Sequence, residues 1–117
     1  MTTLPDPATT IEVDPSLVAS LAAEIGAGQV LLVDCREQDE WHVCHLSGAT
    51  LVPLSEFGTA ATGLPDRGLP CIVYCHHGMR SLKATRFLRA HGLDRCWSMR
   101  GGIDRWSAEI DSAVPRY

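Results

Sequence analysis

Residues 71–81 read Cys71-Ile72-Val73-Tyr74-Cys75-His76-His77-Gly78-Met79-Arg80-Ser81. An unbroken apolar run is the pattern of a parallel strand covered on both faces. It stops at Cys75, and from Ser81 to His91 the residues Ala84, Phe87 and Leu88 recur at the spacing of a helix face, with Gly92 as the stop. A strand that runs through a tight turn into a helix aims unpaired backbone N–H groups and the positive end of the helix dipole back at the strand end. A cysteine there ionises more easily than an ordinary thiol, because the thiolate gains from those groups and the thiol does not. Gly78 supplies the backbone freedom such a turn needs, and Arg80 adds a permanent positive charge.

Working outward, the remaining elements alternate. Residues 1–10, with Pro5 and Pro7, are expected to form a flexible leader to one domain over 11–117. Ile11 to Val13 is expected as a short edge strand. Asp14-Pro15 is a helix start, with a side-chain acceptor at the cap and proline at the first helical position. Leu17, Leu21 and Ile25 continue that helix, and Gly26 and Gly28 end it. Val30 to Val33 is a second continuous apolar strand closed by Asp34-Cys35-Arg36. A short helix is expected over Glu37–Val43, a strand over Thr50–Val52, a short helix from Ser55 and a turn over Asp66–Pro70. A strand follows over Arg95–Met99, then a Gly101-Gly102 turn and a helix over Ile103–Ile110. Strands alternating with helices at this spacing predict an α/β fold on a small, mainly parallel sheet. In such sheets ligands bind beyond the carboxyl ends of the strands, where Cys75 falls.

The 117 residues fit one domain with one ordinary core. Five cysteines is an odd number and implies no disulfide framework. No secretory signal is read in Met1–Thr10 and no run approaches bilayer length, so free thiols in a reducing cytoplasm are expected, with no membrane partner. The net charge of −4 is unevenly spread. Residues 1–75 hold two arginines against ten acids, whereas 76–106 hold seven basic residues against two acids. The positive half begins at the loop after Cys75 and suits a small anion or acidic partner. Nucleic acid is not expected, since the chain is acidic and has no basic–aromatic stripe.

The loop Cys75-His76-His77-Gly78-Met79-Arg80-Ser81 resembles the active-site loop of rhodanese-like sulfurtransferases. Three further stretches match in order: Val33-Asp34-Cys35-Arg36-Glu37 is similar to the family's Asp-x-Arg strand end, His45-Leu46-Ser47-Gly48-Ala49 to its Gly-His-Ile-Pro-Gly-Ala segment, and Gly101-Gly102-Ile103-Asp104-Arg105-Trp106 to its Gly-Gly-x-x-x-Trp. Cys44 and Ser47 depart from it, standing where the family usually has glycine and often has proline. The resemblance implies a small parallel sheet with helices on both faces, and a double displacement in which Cys75 takes a sulfane sulfur from a donor such as thiosulfate, becomes a persulfide and passes the sulfur to a nucleophile. It implies no cofactor, a small anionic donor, a thiophilic acceptor and room for a protein partner in a sulfur relay. The N–H groups of the loop, from His76 to Ser81, would hold the charge, and Arg80 would meet the donor. His76 and His77 would tune polarity or contact the acceptor.

Cysteine phosphatases and arsenate reductases share this design but place five residues between Cys and Arg. Here four intervene, which favours sulfur over the larger tetrahedral phosphate. A non-catalytic interaction module, or a dedicated persulfide carrier, is the other alternative; modules of that kind often lack the cysteine. Asp34 and Arg36 are expected to form a buried structural network. His42, Cys44 and His45 lack the usual zinc spacing, and no metal is expected there. Cys35 ends a strand and is a candidate resolving thiol for Cys75, subject to the strand order. Cys71 and Cys96 are expected in the core. Trp41, Trp97 and Trp106 are expected to be largely buried.

Overall fold

The computed structural model describes residues 3–64 and 68–117. A five-stranded, all-parallel sheet carries β1 (Glu12–Val13), β2 (Leu31–Asp34), β3 (Thr50–Leu51), β4 (Cys71–Tyr74) and β5 (Cys96–Met99) in the order β1-β5-β4-β2-β3. Between them run α1 (Pro15–Ser20), α2 (Ala22–Gly26), α3 (Gln38–Val43), a 3-10 turn (Leu54–Glu56), α4 (Phe57–Ala60) and α5 (Met79–Ala90), with α6 (Gly102–Glu109) last. The expected α/β fold with a parallel sheet is the one observed.

The apolar runs are continuous because both faces of the sheet are covered. Side chains alternate across a strand. Cys71, Val73 and Cys75 therefore join Val33, Cys35, Cys96 and the inner residues Ala84 and Leu88 of α5 in one core cluster, together with Phe57 and Ala61. Ile72 and Tyr74 point the other way, into a second cluster with Leu32, Trp97, Met99, Val18, Leu21, Ile25 and Ile103. Each fully buried aliphatic of these clusters contributes roughly 1.5–3 kcal/mol.

Strand order explains where a site can form. From β2 the chain moves outward to β3, and from β4 it moves the opposite way to β5. The connections diverge between β2 and β4, leaving a crevice at their carboxyl ends, the usual ligand position in open parallel sheets. Asp34 pairs with Tyr74 at the last step of that register. Arg36 and the loop after Cys75 lie just past it.

Several local expectations are corrected. Proline is at the first position of α1, but the Asp14 side chain makes no capping hydrogen bond; it accepts from Arg100 Nη1 at 2.6 Å instead, a long-range ion pair overriding a local cap. The helix expected to run to Gly26 breaks at Leu21, which leaves helical geometry at ψ 10°. Helix α5 starts two residues early, at Met79, and its inner face is partly polar: Ser81 and Thr85 are buried beside Ala84 and Leu88. Within residues 3–10, Arg89 donates to Pro7 O at 2.9 Å and to Thr10 O at 3.0 Å. The expected turn at 66–70 lies partly outside the described residues. Trp97 is fully buried, whereas Trp41 and Trp106 are half-buried, Trp41 stacking on His45 at 3.7 Å between ring centroids.

Candidate active site

The loop after β4 is shaped by two glycines that no other residue would replace. Gly78 caps α5 at φ 102°, a left-handed conformation that costs other residues. Gly102, at φ 62°, lies so close beneath the loop that a Cβ would sit under 3.0 Å from the carbonyl oxygens of Cys75 and His76. Those same carbonyls accept the first free amides of α6, Ile103 N at 2.8 Å and Asp104 N at 3.1 Å. Helix α6 thus holds the loop by its carbonyls.

The result is a sulfur under main-chain donors. Gly78 N donates to Cys75 Sγ at 3.0 Å and Ser81 N at 3.3 Å, with Ser81 Oγ 3.4 Å from the sulfur. Of the N–H groups expected to serve from His76 to Ser81, these two reach Sγ. Ser81 Oγ is fixed in turn by Ser98 Oγ at 2.7 Å, from β5. The Cys75 thiol is lowered from its ordinary 9.0 to about 5. The hydrogen bond from the Cys35 thiol is the largest cause; burial opposes it, and the Ser81 hydroxyl and the Ser81 and Gly78 amides add to it. Cys35 is pushed up by the same bond and by its own burial. It is therefore the proton-bearing partner of the pair.

Asp34 and Arg36, both 0% exposed, build the other wall. Asp34 takes Arg36 Nε at 2.9 Å and Nη2 at 2.6 Å, and its Oδ1 also accepts the Arg36 amide at 2.9 Å. The guanidinium reaches on to the carbonyl of Cys44 at 2.6 Å, so it locks the β2–α3 turn to the loop after α3. The expected buried network is present in this form.

A polar bridge closes the crevice. Glu40 of α3 accepts both Arg80 Nη1 at 2.6 Å and Arg80 Nη2 at 2.8 Å from α5. These two helices leave the carboxyl ends of β2 and β4, so the bidentate pair spans the gap between them. Arg80 holds the Glu40 carboxyl at about 2, with the Tyr117 hydroxyl and the Glu37 amide adding to it against burial. Tyr117 donates its hydroxyl to Glu40 at 2.8 Å, accepts from Arg36 Nη1 at 2.8 Å, and stacks its ring on His76 at 4.0 Å. Cys75 itself is 1% exposed.

The remaining loop residues face outward to different degrees. His76 is sandwiched between Tyr117 and His77, whose ring lies 3.9 Å away, and burial first, then the His77 charge, lowers its pKa. His77 is 63% exposed and 3.8 Å from Asp104. Met79 is exposed. Part of the positive half of the sequence is paired: Arg100 and Arg105 meet Asp14 and Arg105 also meets Glu109, while Arg89 is spent on carbonyls. His42, Cys44 and His45 do not gather as ligands; His45 bonds the Trp41 carbonyl at 3.0 Å and Cys44 Sγ the Pro115 carbonyl at 3.5 Å.

Sequence reading did not find Glu40, Ser98 or Tyr117. Glu40 carried a signal, the Glu37-x-x-Glu40 spacing of the capping box that the structure shows; Ser98 and Tyr117 carried none. Gly102 was legible as a turn but not as the residue on which the loop rests.

Three comparisons bear on this geometry. The rhodanese-like domain family matches residues 17–109. A rhodanese-like/PpiC domain-containing chloroplastic protein of Arabidopsis thaliana is 32% identical over 89 residues, covering 74% of this chain and 30% of that protein. The thiosulfate sulfurtransferase GlpE of Coxiella burnetii is 29% identical, covering 68% of this chain and 73% of its own. A crystal structure of a rhodanese-related protein from Thermoplasma volcanium superposes with a TM-score of 0.70 at 27% identity, covering 85% of this chain and 92% of the other.

Proposed function

The chain belongs to the rhodanese-like domain family, and from that premise we propose that it is a sulfurtransferase in which Cys75 carries the sulfur. The observation that supports this most is the Cys75 sulfur itself, lying under the amides of Gly78 and Ser81 with its thiol lowered to about 5. At neutral pH it is a thiolate, the form that attacks sulfur.

In the proposed reaction the Cys75 thiolate attacks the outer sulfur of thiosulfate. The S–S bond of the donor breaks, sulfite leaves with the bonding pair, and Cys75 holds a persulfide. A nucleophilic acceptor, cyanide or a thiol, then attacks the outer sulfur, and the Cys75 thiolate leaves and is restored. Amides that face the sulfur stabilise the charge at both stages without reorganising. Among the described residues only two main-chain amides converge on the sulfur, which suits a monatomic cargo better than a tetrahedral phosphate.

Cys75 is 1% exposed, so the donor enters as the Arg80–Glu40 bridge parts. Arg80, freed from Glu40, is the cation that meets the sulfonate end of thiosulfate. His76 and His77 flank the same mouth, Met79 offers an exposed apolar contact to an acceptor or to a relay protein, and Asp34 and Arg36 hold the wall. The chemistry calls for no cofactor or metal. With its cysteines required as thiols, the protein belongs in a reducing compartment, the cytoplasm.

Intact-mass measurement after incubation with thiosulfate tests the reading. The expected result is a gain of one sulfur atom, lost on adding cyanide and absent in Cys75→Ser. No gain from thiosulfate or from any other sulfane donor would favour the interaction module.

A further inference from the structure

Cys35 is the one thiol beside Cys75 for which the proposed sulfur transfer has no use as a nucleophile. Strands β2 and β4 are neighbours, and their last paired residues are Asp34 and Tyr74. Cys35 and Cys75 are the next residue on each, and Cys35 N donates to the Tyr74 carbonyl at 3.0 Å. The two side chains fall in the same core cluster, and each sulfur shifts the ionisation of the other, Cys35 upward and Cys75 downward. Neighbouring strands lie about 4.7–4.9 Å apart, inside the Cα separation of about 4.4–6.8 Å that a disulfide spans. Both cysteines are free as described.

We propose that Cys35 is a resolving thiol and that the Cys35–Cys75 pair is a site of reversible oxidation by a hydroperoxide. The Cys75 thiolate attacks the terminal oxygen of the peroxide; the O–O bond breaks, hydroxide leaves from hydrogen peroxide (alkoxide from an organic hydroperoxide), and Cys75 becomes a sulfenic acid, oxidised by two electrons. The Cys35 sulfur then attacks Cys75 Sγ. The Sγ–O bond breaks, the Cys35 proton goes to the departing hydroxide as water, and a Cys35–Cys75 disulfide forms. A cellular dithiol restores both thiols by exchange. The outcome spares Cys75 from the sulfinic and sulfonic states, which small thiols do not reverse.

The arrangement favours this order of events. Cys75 has the amide donors and the Arg80 charge nearby, so it is the thiolate that meets the oxidant. Cys35 keeps its proton, which makes it a poor target for peroxide and leaves it ready to supply that proton to the leaving group. The same sheet contains an internal comparison. Cys71 and Cys96 are paired across β4 and β5, with the Cys71 thiol pushed up by Cys96 and by burial, but no main-chain amide faces either sulfur among the described residues. Proximity alone, without a thiolate, should leave that pair reduced.

This inference rests on the Cys75 thiolate and its neighbour, not on sulfur transfer, and stands or falls separately. The test treats the full chain with hydrogen peroxide at a concentration equal to the protein's, blocks remaining thiols and maps the peptides by mass. The expected product has lost two hydrogens, contains a Cys35–Cys75 link and returns to the starting mass with dithiothreitol. In Cys35→Ser the same treatment should leave one added oxygen on Cys75 and no link, and a tenfold molar excess of peroxide should add oxygens that dithiothreitol does not remove, as it should not in the wild-type chain. Oxygen addition at Cys75 of the wild-type chain without the link, or a link between Cys71 and Cys96 instead, would overturn the proposal. The wild-type result decides the matter even if Cys35→Ser folds poorly.

Discussion

Replacing Gly102 with alanine places a methyl group where two carbonyl oxygens already lie. The new Cβ would approach the oxygens of Cys75 and His76 to under 3.0 Å, whereas ordinary contacts begin at 3.4 Å. Neither neighbour is a flexible side-chain end; both are backbone, so the loop or the start of α6 must move. The residue also sits at φ 62°, a left-handed conformation that costs an L-residue about 1–2 kcal/mol. Forcing extra volume into a packed site adds about 1–3 kcal/mol. The expected loss is about 2–5 kcal/mol by urea denaturation. A shift of the loop also carries Gly78 N away from Cys75 Sγ, now 3.0 Å distant, so the pH midpoint for Cys75 alkylation should rise from about 5 toward 9.0. Gly28→Ala is the control: its φ is 75° but nothing lies within 4 Å, so it should cost about 1–2 kcal/mol and leave the midpoint unchanged. A Gly102→Ala protein no less stable than Gly28→Ala, with an unmoved Cys75 midpoint, would refute the idea that α6 holds the loop by its carbonyls.

Two further outcomes follow from the walls of the site. Asp34→Asn leaves the Arg36 guanidinium buried without its charge partner, and should destabilise the protein by about 3–5 kcal/mol in chemical denaturation; a loss under about 1 kcal/mol would mean that the pair is not the structural lock described here. Glu40→Gln frees Arg80 while the amide oxygen can still accept the Glu37 N–H, and should lower the KM for thiosulfate by roughly 3- to 10-fold, a change on the scale of 1 kcal/mol. The same variant has a pH signature. The Glu40 carboxyl is lowered from 4.5 to about 2, so the stability it confers is full above about 4.5 and is lost as pH falls through about 2. The stability gap between wild type and Glu40→Gln should accordingly hold steady above pH 5 and shrink toward pH 2.

How much of this was legible in the sequence depends on the range of the interaction. The Cys71–Tyr74 run gave its strand because burial on both faces leaves a local mark, and Pro15 marked the start of α1 because its ring geometry is local too. Cys75 stood out because strand, turn and helix are contiguous there. What was hidden is long-range. Asp14 reads as a cap but turns to Arg100, 86 residues on, and nothing near Asp14 announces that. Arg80 reads as free to bind an anion, yet Glu40, 40 residues earlier, occupies it. The role of Cys35 hung on strand order: only once β2 lies beside β4 does its thiol reach Cys75. Tyr117 reaches Glu40 and Arg36 through a tail with no periodic pattern of its own, so no local rule could have placed it.

The sharpest single test is the pH profile of iodoacetamide alkylation at Cys75, read by peptide mass on the wild-type chain with Cys75→Ser as blank. With the thiol at about 5 rather than 9.0, alkylation should reach half its plateau near pH 5, and Cys75 should hold on the order of 100-fold more thiolate at neutral pH than an ordinary cysteine, at tenfold per pH unit. A midpoint near 9.0 would contradict the anion cradle, and with it the chemistry drawn from it.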